Sequence, residues 1–256
     1  DVMVALKNKK ALTLIFVWGW ILGPVIGLLI TKILPLDEPY VIVVLLCSLA
    51  PCAPFLQQMV GKANGDVGFA GALIPLVAVG TVVFMPVMAP YLITGLTISA
   101  WALAKPLLLT ILLPLVIGAA IRHYTDQGAT KIFPAVKGLA LISTLLTVIS
   151  CLVLYGKDMF NTAGEFALLA MTIFMVAVAI ITYIFGFGLK QNQRSVMSLG
   201  MGTRNIAAVF AAALAIPDAD PRIMVMVIMW TLWSVVLAAI AARVFLKHSL
   251  IELAAK

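Results

Sequence analysis

A charged side chain lies inside a long apolar run, in the stretch LGMGTRNIAAVFAAALAIPDAD at residues 199–220. Arg204 is flanked there by Thr203 and Asn205, so one charge and two hydrogen-bonding side chains are consecutive. An unpaired guanidinium in hydrocarbon costs at least about 2.5–3.5 kcal/mol, and its planar fork suits carboxylates and sulfonates. The pattern predicts that Arg204 binds an organic anion or supplies a fixed positive charge. A structural role, in which it donates to backbone carbonyls, stays open.

A second polar group follows two prolines in the stretch APCAPFLQQ at residues 50–58. Pro51 and Pro54 remove backbone donors and therefore interrupt a helix. Gln57 and Gln58 come directly after this interruption. Their amides are candidates for hydrogen bonds to a ligand or to Arg204, and equally for hydrogen bonds to the carbonyls that the prolines leave free.

Ser234 is a further candidate ligand, although an isolated hydroxyl in an apolar helix more often bonds to a carbonyl of its own helix. The candidate substrate-binding residues are therefore Gln57, Gln58, Thr203, Arg204, Asn205 and Ser234. The predicted interruptions of helices are at Pro51, Pro54, Gly200 and Gly202.

The composition excludes a soluble domain. Of the 256 residues, 64% are hydrophobic and 11% are charged, and the mean hydropathy is +1.17, whereas soluble domains carry roughly 25% charged residues. The sequence contains no HExxH, P-loop or CxxC pattern, so we predict neither an enzyme nor a metal site. Cys47, Cys52 and Cys151 lie in apolar segments and are interpreted as packing residues.

Hydrophobic runs of about 20 residues predict an all-α membrane protein, because open sheet edges cannot face lipid. The predicted segments are 11–35, 39–61, 67–95, 99–121, 132–155, 163–189, 192–216 and 221–246. The loops and termini on the same side of the membrane as the amino end contain twelve Lys and Arg residues, and those on the opposite side contain four. The positive-inside rule then places both termini in the cytoplasm, in a multi-pass protein of the inner (plasma) membrane. The net charge of +7 reflects this topology, so no nucleic acid partner is expected.

The segments at 39–61 and 192–216 are both interrupted, and each is followed by a long helix. They lie five segments apart, so the two units have opposite orientations, which is typical of inverted-repeat secondary transporters. We interpret 1–95 as the last three helices of a first repeat, 99–247 as a second repeat of five helices, and 248–256 as a cytoplasmic tail. Symmetry then predicts two further helices in the first repeat and ten in all. The alternative is a genuine eight-helix protein.

The residues LAPCAPFLQQMVGKANGDVGFAGALIPLVAVGTVVFMPVMAP (49–90) and SVMSLGMGTRNIAAVFAAALAIPD (195–218) resemble the bile acid:sodium symporter family, in particular its bacterial branch of predicted sodium-dependent transporters. The resemblance covers essentially the whole chain and implies a panel domain and a core domain. In the core, two discontinuous helices cross, and these would be the interrupted segments 39–61 and 192–216.

The resemblance also implies a sodium ion as coupling ion and no other cofactor. The positions that match sodium ligands of the family read Leu56, Gln57, Ala70, Ile74, Gly200 and Arg204, and a polar residue of the first helix is Gly19. Most of these lack a side-chain oxygen, so we do not expect sodium coupling through this set. The expected function is alternating-access transport of a small organic anion. The alternatives are a sodium-independent exporter or facilitator of an anion or metalloid, and a membrane receptor or scaffold that transports nothing.

Overall fold

The computed structural model describes residues 9–93, 99–164 and 166–254, which form helices without any strand. The helices are α1 (Lys9–Ile33), α2 (Glu38–Ser48), α3 (Leu56–Lys62), α4 (Val67–Leu92), α5 (Ala100–Tyr124), α6 (Asp126–Gly164), α7 (Ala167–Ile184), α8 (Gln191–Gly202), α9 (Ile206–Leu214) and α10 (Pro221–Ala254). The all-α architecture predicted from composition is confirmed.

Five of these helices are long and apolar enough to cross a membrane, namely α1, α4, α5, α7 and α10. The shorter apolar helix α2 continues, after a break, into α3, and α8 continues in the same way into α9. The chain is therefore a multi-pass membrane protein with two discontinuous helices. Breaks occur over residues 49–55, which include Pro51 and Pro54, and over residues 203–205. The second break begins directly after the predicted position, because Gly200 and Gly202 still belong to α8.

The helix bounds differ most from the predicted spans at α6 and α10. Helix α6 has 39 residues and includes the whole predicted span 132–155, while α10 continues beyond 246 into the segment interpreted as a tail. Helices α1 and α5 each contain a π-helical turn, at Val17–Leu22 and Leu108–Leu112. Each turn is followed two residues later by a proline, Pro24 or Pro114, whose missing N–H leaves a carbonyl of the turn without its regular i→i−4 partner.

Two polar contacts outside the apolar core hold the discontinuous helices together. We call the first the Arg222 tie: Arg222 donates to Asp37 Oδ2 at 2.7 Å and to Asp220 Oδ2 at 2.9 Å. Asp37 precedes α2, and Asp220 follows α9, so this contact joins the ends of both broken segments. The same hydrogen bonds hold the pKa of the Asp220 carboxyl below its usual range.

The second contact, the Asp66 tie, lies where α3 ends and α8 begins. Gln193 Nε2 donates to Asp66 Oδ2 at 3.3 Å, and the Asp66 N–H donates to the Asn192 carbonyl at 3.3 Å. Asp66 Oδ1 also accepts from Phe69 N at 2.9 Å and so caps the amino end of α4. One polar contact therefore joins the broken segments at each end.

The bundle is buried unevenly. The most apolar stretch of α10 is 50% buried inside the protein, whereas that of α5 is only 6% buried. Helices α8 and α9 pack against α10, and α8 also packs along α7, so the broken segments lie in the best-packed part of the chain. Helices α5 and α6 form the most exposed part of the described chain.

Candidate functional site

The two breaks meet and pair through their backbones. Pro51 and Arg204 form an isolated antiparallel bridge, in which Asn205 N donates to the Ala50 carbonyl at 2.8 Å. From the other segment, Cys52 N donates to the carbonyls of Gly200 at 2.9 Å and Thr203 at 3.0 Å. Unwound backbone within a membrane protein requires such partners, because lipid supplies none. We call this meeting point, residues 50–53 and 200–205, the crossover.

The side chains of Thr203 and Asn205 add hydrogen bonds to the backbone pairing of the crossover. Thr203 Oγ1 donates to the Leu199 carbonyl at 2.7 Å and accepts from Ala53 N at 3.2 Å. Asn205 Oδ1 accepts from Ala208 N at 3.3 Å and so caps α9. These two predicted ligands therefore use their oxygens inside the crossover. Cys52 adopts φ +72°, which is uncommon for a residue other than glycine.

The Arg204 side chain is completely buried. Its Nη2 donates to the Met201 carbonyl at the end of α8, and its Cζ lies 4.6 Å from the centroid of the Phe174 ring. Among the residues that the structure describes, Nε and Nη1 have no hydrogen-bond partner. Desolvated donors of a charged group are costly when unpaired, so two N–H-bearing atoms of this guanidinium remain available to an acceptor.

Small and aromatic residues shape the space around the guanidinium. A Cβ on Gly23 would lie 2.7 Å from the Ser48 carbonyl oxygen and 3.8 Å from Arg204 Nη1, so the glycine lets α1 approach both groups closely. Phe174 also contacts Trp230 in a T-shaped arrangement, with ring centroids 5.7 Å apart. The sequence did not indicate Gly23 or Phe174, because neither forms part of a polar motif, and Cys52 was interpreted only as a packing residue.

The other predicted residues lie apart from the guanidinium. Gln57 and Gln58 are exposed on α3, and Pro54 is exposed before it. Ser234 is buried in α10, where it donates to the Thr231 carbonyl at 2.8 Å. Gly202 is buried at the end of α8, where a Cβ would lie 3.0 Å from Ala179 Cβ.

Apolar side chains fill the surroundings of Gly200. A Cβ at this position would lie 2.8 Å from Leu73 Cδ2 and 3.3 Å from Leu56 Cδ2. Leu56 and Ala70 are completely buried. Hydrocarbon therefore surrounds the position at which the family resemblance implies an oxygen ligand for sodium.

Comparison with known proteins gives a consistent result. A model of the sodium bile acid symporter family matches residues 1–162. The chain is 24% identical over 184 residues to a probable sodium/metabolite cotransporter BASS3, chloroplastic, from Oryza sativa subsp. japonica, covering 72% of this chain and 44% of that protein. It is 22% identical over 218 residues to the protein of the same name from Arabidopsis thaliana, covering 84% and 51%. The chain spans about half the length of the curated relatives it matches.

Proposed function

Because the chain belongs to the sodium bile acid symporter family, we propose that it is a secondary transporter that carries a small organic anion across the membrane by alternating access. The observation that carries the proposal is the buried Arg204 guanidinium with two unpartnered donor atoms at the crossover, as far as the described residues extend. A transported anion that reaches this point would meet a positive charge already oriented by Met201 and Phe174.

The electrostatics of the crossover favour an anion over a cation as substrate. Helix α9 begins two residues after Arg204, so the positive end of its dipole adds to the guanidinium charge. Half-helix amino ends pointing at anionic groups are a recurring feature of secondary transporters. Thr203 and Asn205 would position the crossover backbone, because their oxygens already serve Ala53 and Ala208.

Alternating access requires one part of the protein to move against another. The broken segments are joined at the crossover and at both polar ties, which supports their movement as one unit, the core. Helices α5 and α6 would belong to the panel against which the core moves. The low burial of α5 supports this assignment, because a weakly packed helix separates at low cost.

We propose that sodium does not bind among the crossover side chains of this chain. Leu56 and Leu73 fill the space around Gly200, and coordination of a sodium ion needs several oxygen ligands. Arg204 would instead supply a permanent positive charge beside the carbonyl end of α8. A coupling ion, if one is used, would then bind elsewhere, and mutation of Gln57 or Thr203 would leave the sodium dependence unchanged.

The decisive experiment is uptake of radiolabelled organic anions into proteoliposomes that contain the purified protein, first with sodium and then with choline as the external cation. Candidate anions are first selected by thermal shift of the same preparation. We expect saturable uptake of at least one carboxylate or sulfonate in choline. Uptake that needs sodium and is lost in Gln57→Ala would contradict the proposed sodium independence of the crossover. Binding of an anion without uptake of any would favour a receptor or scaffold.

A further inference from the structure

An apolar groove runs between α7, α8 and α10 and has a volume of about 460 Å³. Its walls include Met175, Ala179 and Ile180 from α7, and Leu237, Ala241 and Val244 from α10. Its floor is formed by Leu199, Gly202 and Thr203, directly before Arg204. On α10 the lining extends from Leu237 to His248, about 16 Å at 1.5 Å per residue.

The groove opens sideways, toward the surface that faces hydrocarbon. Ile180, Ile184, Ile240 and Val244 at its rim are between 51% and 59% exposed, and they lie on two helices that are long and apolar enough to cross the membrane. Water has no polar partner on such walls, so an apolar occupant is favoured. The adjacent hydrocarbon in a bilayer is the acyl chain of a lipid.

One end of the groove is polar. The Tyr183 hydroxyl and His248 Nδ1 form a hydrogen bond there, and Gln191 Nε2 lies within hydrogen-bond distance of the Tyr183 hydroxyl oxygen, at 3.5 Å. The same Gln191 lines a second cavity of about 530 Å³, whose lining also includes Asn64, Lys190, Asn192, Ser249 and Glu252. An apolar groove and a polar cavity thus adjoin at the start of α8 and the end of α10.

This arrangement matches an amphiphile with one hydrocarbon chain and one polar head. Lys190 is exposed at the polar cavity, and Lys247 and Arg243 are exposed on the last turns of α10. Basic residues at the membrane surface between transmembrane helices favour anionic head groups. We propose that the groove binds an acyl chain of an anionic phospholipid whose head group occupies the polar cavity beside Lys190.

The floor of the groove is part of the crossover, so a lipid bound in the groove affects the crossover. A chain in the groove contacts Leu199, Gly202 and Thr203, and Thr203 accepts from Ala53 of the opposing segment. A bound lipid therefore stabilises the end of α8 and the backbone that carries Arg204. The inference does not depend on the proposed anion transport, because lipid retention is measured without any substrate.

The test compares lipid retention by the purified, delipidated chain in detergent, with native mass spectrometry and thermal unfolding as readouts. The probes are phosphatidylglycerol and phosphatidylcholine with identical acyl chains. We expect phosphatidylglycerol to bind roughly fivefold more tightly, the effect of about one lysine near an anionic surface, and we expect Lys190→Gln to remove this preference. Equal retention of the two lipids by the unmodified chain would overturn the assignment of the head group.

Two substitutions test the groove itself. Ala241→Phe places a ring in the groove and should abolish retention of both lipids, and Val244→Trp at the exposed rim does the same with less risk to folding. Val235→Trp is the matched control, because Val235 is 42% exposed and neither it nor Ala239, one turn further along α10, lines the groove. Retention by Val244→Trp equal to that of the control would overturn the proposal.

Discussion

Replacement of Arg204 by glutamine separates a functional guanidinium from a structural one. The side chain makes one charge-assisted hydrogen bond, to Met201, and one cation–π contact, with Phe174. The hydrogen bond contributes about 1.5–3 kcal/mol to the stability of the folded protein, and the cation–π contact contributes up to about 2 kcal/mol. Against them stands the burial of a charge with two unpartnered donor atoms among the described residues, which costs several kcal/mol.

The favourable contacts of Arg204 and the cost of burying its charge nearly cancel, so we expect Arg204→Gln to change the free energy of unfolding by no more than about 2 kcal/mol. A guanidinium whose only role is to hold the backbone together would instead cost about 3–5 kcal/mol on removal, as for a broken buried pair. Transport should respond differently. Loss of the charge that binds the anion should reduce uptake at least about tenfold, equivalent to about 1.4 kcal/mol.

The assay pairs unfolding of the purified variants in mixed micelles with uptake of the selected anion into proteoliposomes. Arg204→Lys retains the charge without the fork and should give intermediate uptake. Arg122→Gln, at an exposed position of α5, controls for the loss of one positive charge. Uptake by Arg204→Gln equal to that of the control would refute the binding role. Unfolding of both Arg204 variants would show that the role is structural.

Three further predictions concern Gly23, the contact between Asp220 and Arg222, and the membrane topology. Gly23→Ala should destabilise the protein by about 1–3 kcal/mol and reduce uptake, because its Cβ would lie 2.7 Å from the Ser48 carbonyl oxygen, whereas Gly71→Ala meets no atom within 4 Å and should be neutral. The hydrogen bond with Arg222 lowers the pKa of Asp220, so the ionised carboxylate contributes fully to stability above about pH 4, and this contribution is lost as the pH falls through the folded-state pKa. The free energy of unfolding of Asp220→Asn should therefore fall less below about pH 4 than that of the unmodified protein. A reporter fused after the last residue should be located in the cytoplasm, as the distribution of Lys and Arg predicts, and a periplasmic signal would contradict that topology.

The sequence predicted the elements of the fold better than the contacts of the site. Pro51 and Pro54 mark one break and the glycines around Met201 mark the other, because these residues weaken helices wherever they occur. The distance between two breaks is a tertiary property, and their backbone pairing could not be derived from either motif alone.

The glutamines show the limit of reasoning from symmetry. Gln57 and Gln58 follow the first break, whereas Thr203 and Asn205 lie within the second. The glutamines are exposed, while Thr203 and Asn205 are buried. Helical phase after the break determines which face a residue occupies, and the length of an irregular segment sets that phase. The contribution of Phe174 was equally hidden, because an aromatic residue in an apolar helix gives no sign of a cation nearby.

The contacts between the broken segments restrict the internal movements of the protein. Two helical segments that contact each other at one point can still rotate about it, and two segments that contact at two points can still bend apart between them. The Arg222 tie, the crossover and the Asp66 tie join these segments at three successive places along their length. Sliding or scissoring of one segment past the other would break at least two of the three contacts at once. Conformational changes that keep all three contacts cost less free energy. A cross-link between residues 50 and 205 should therefore be tolerated throughout the proposed transport cycle.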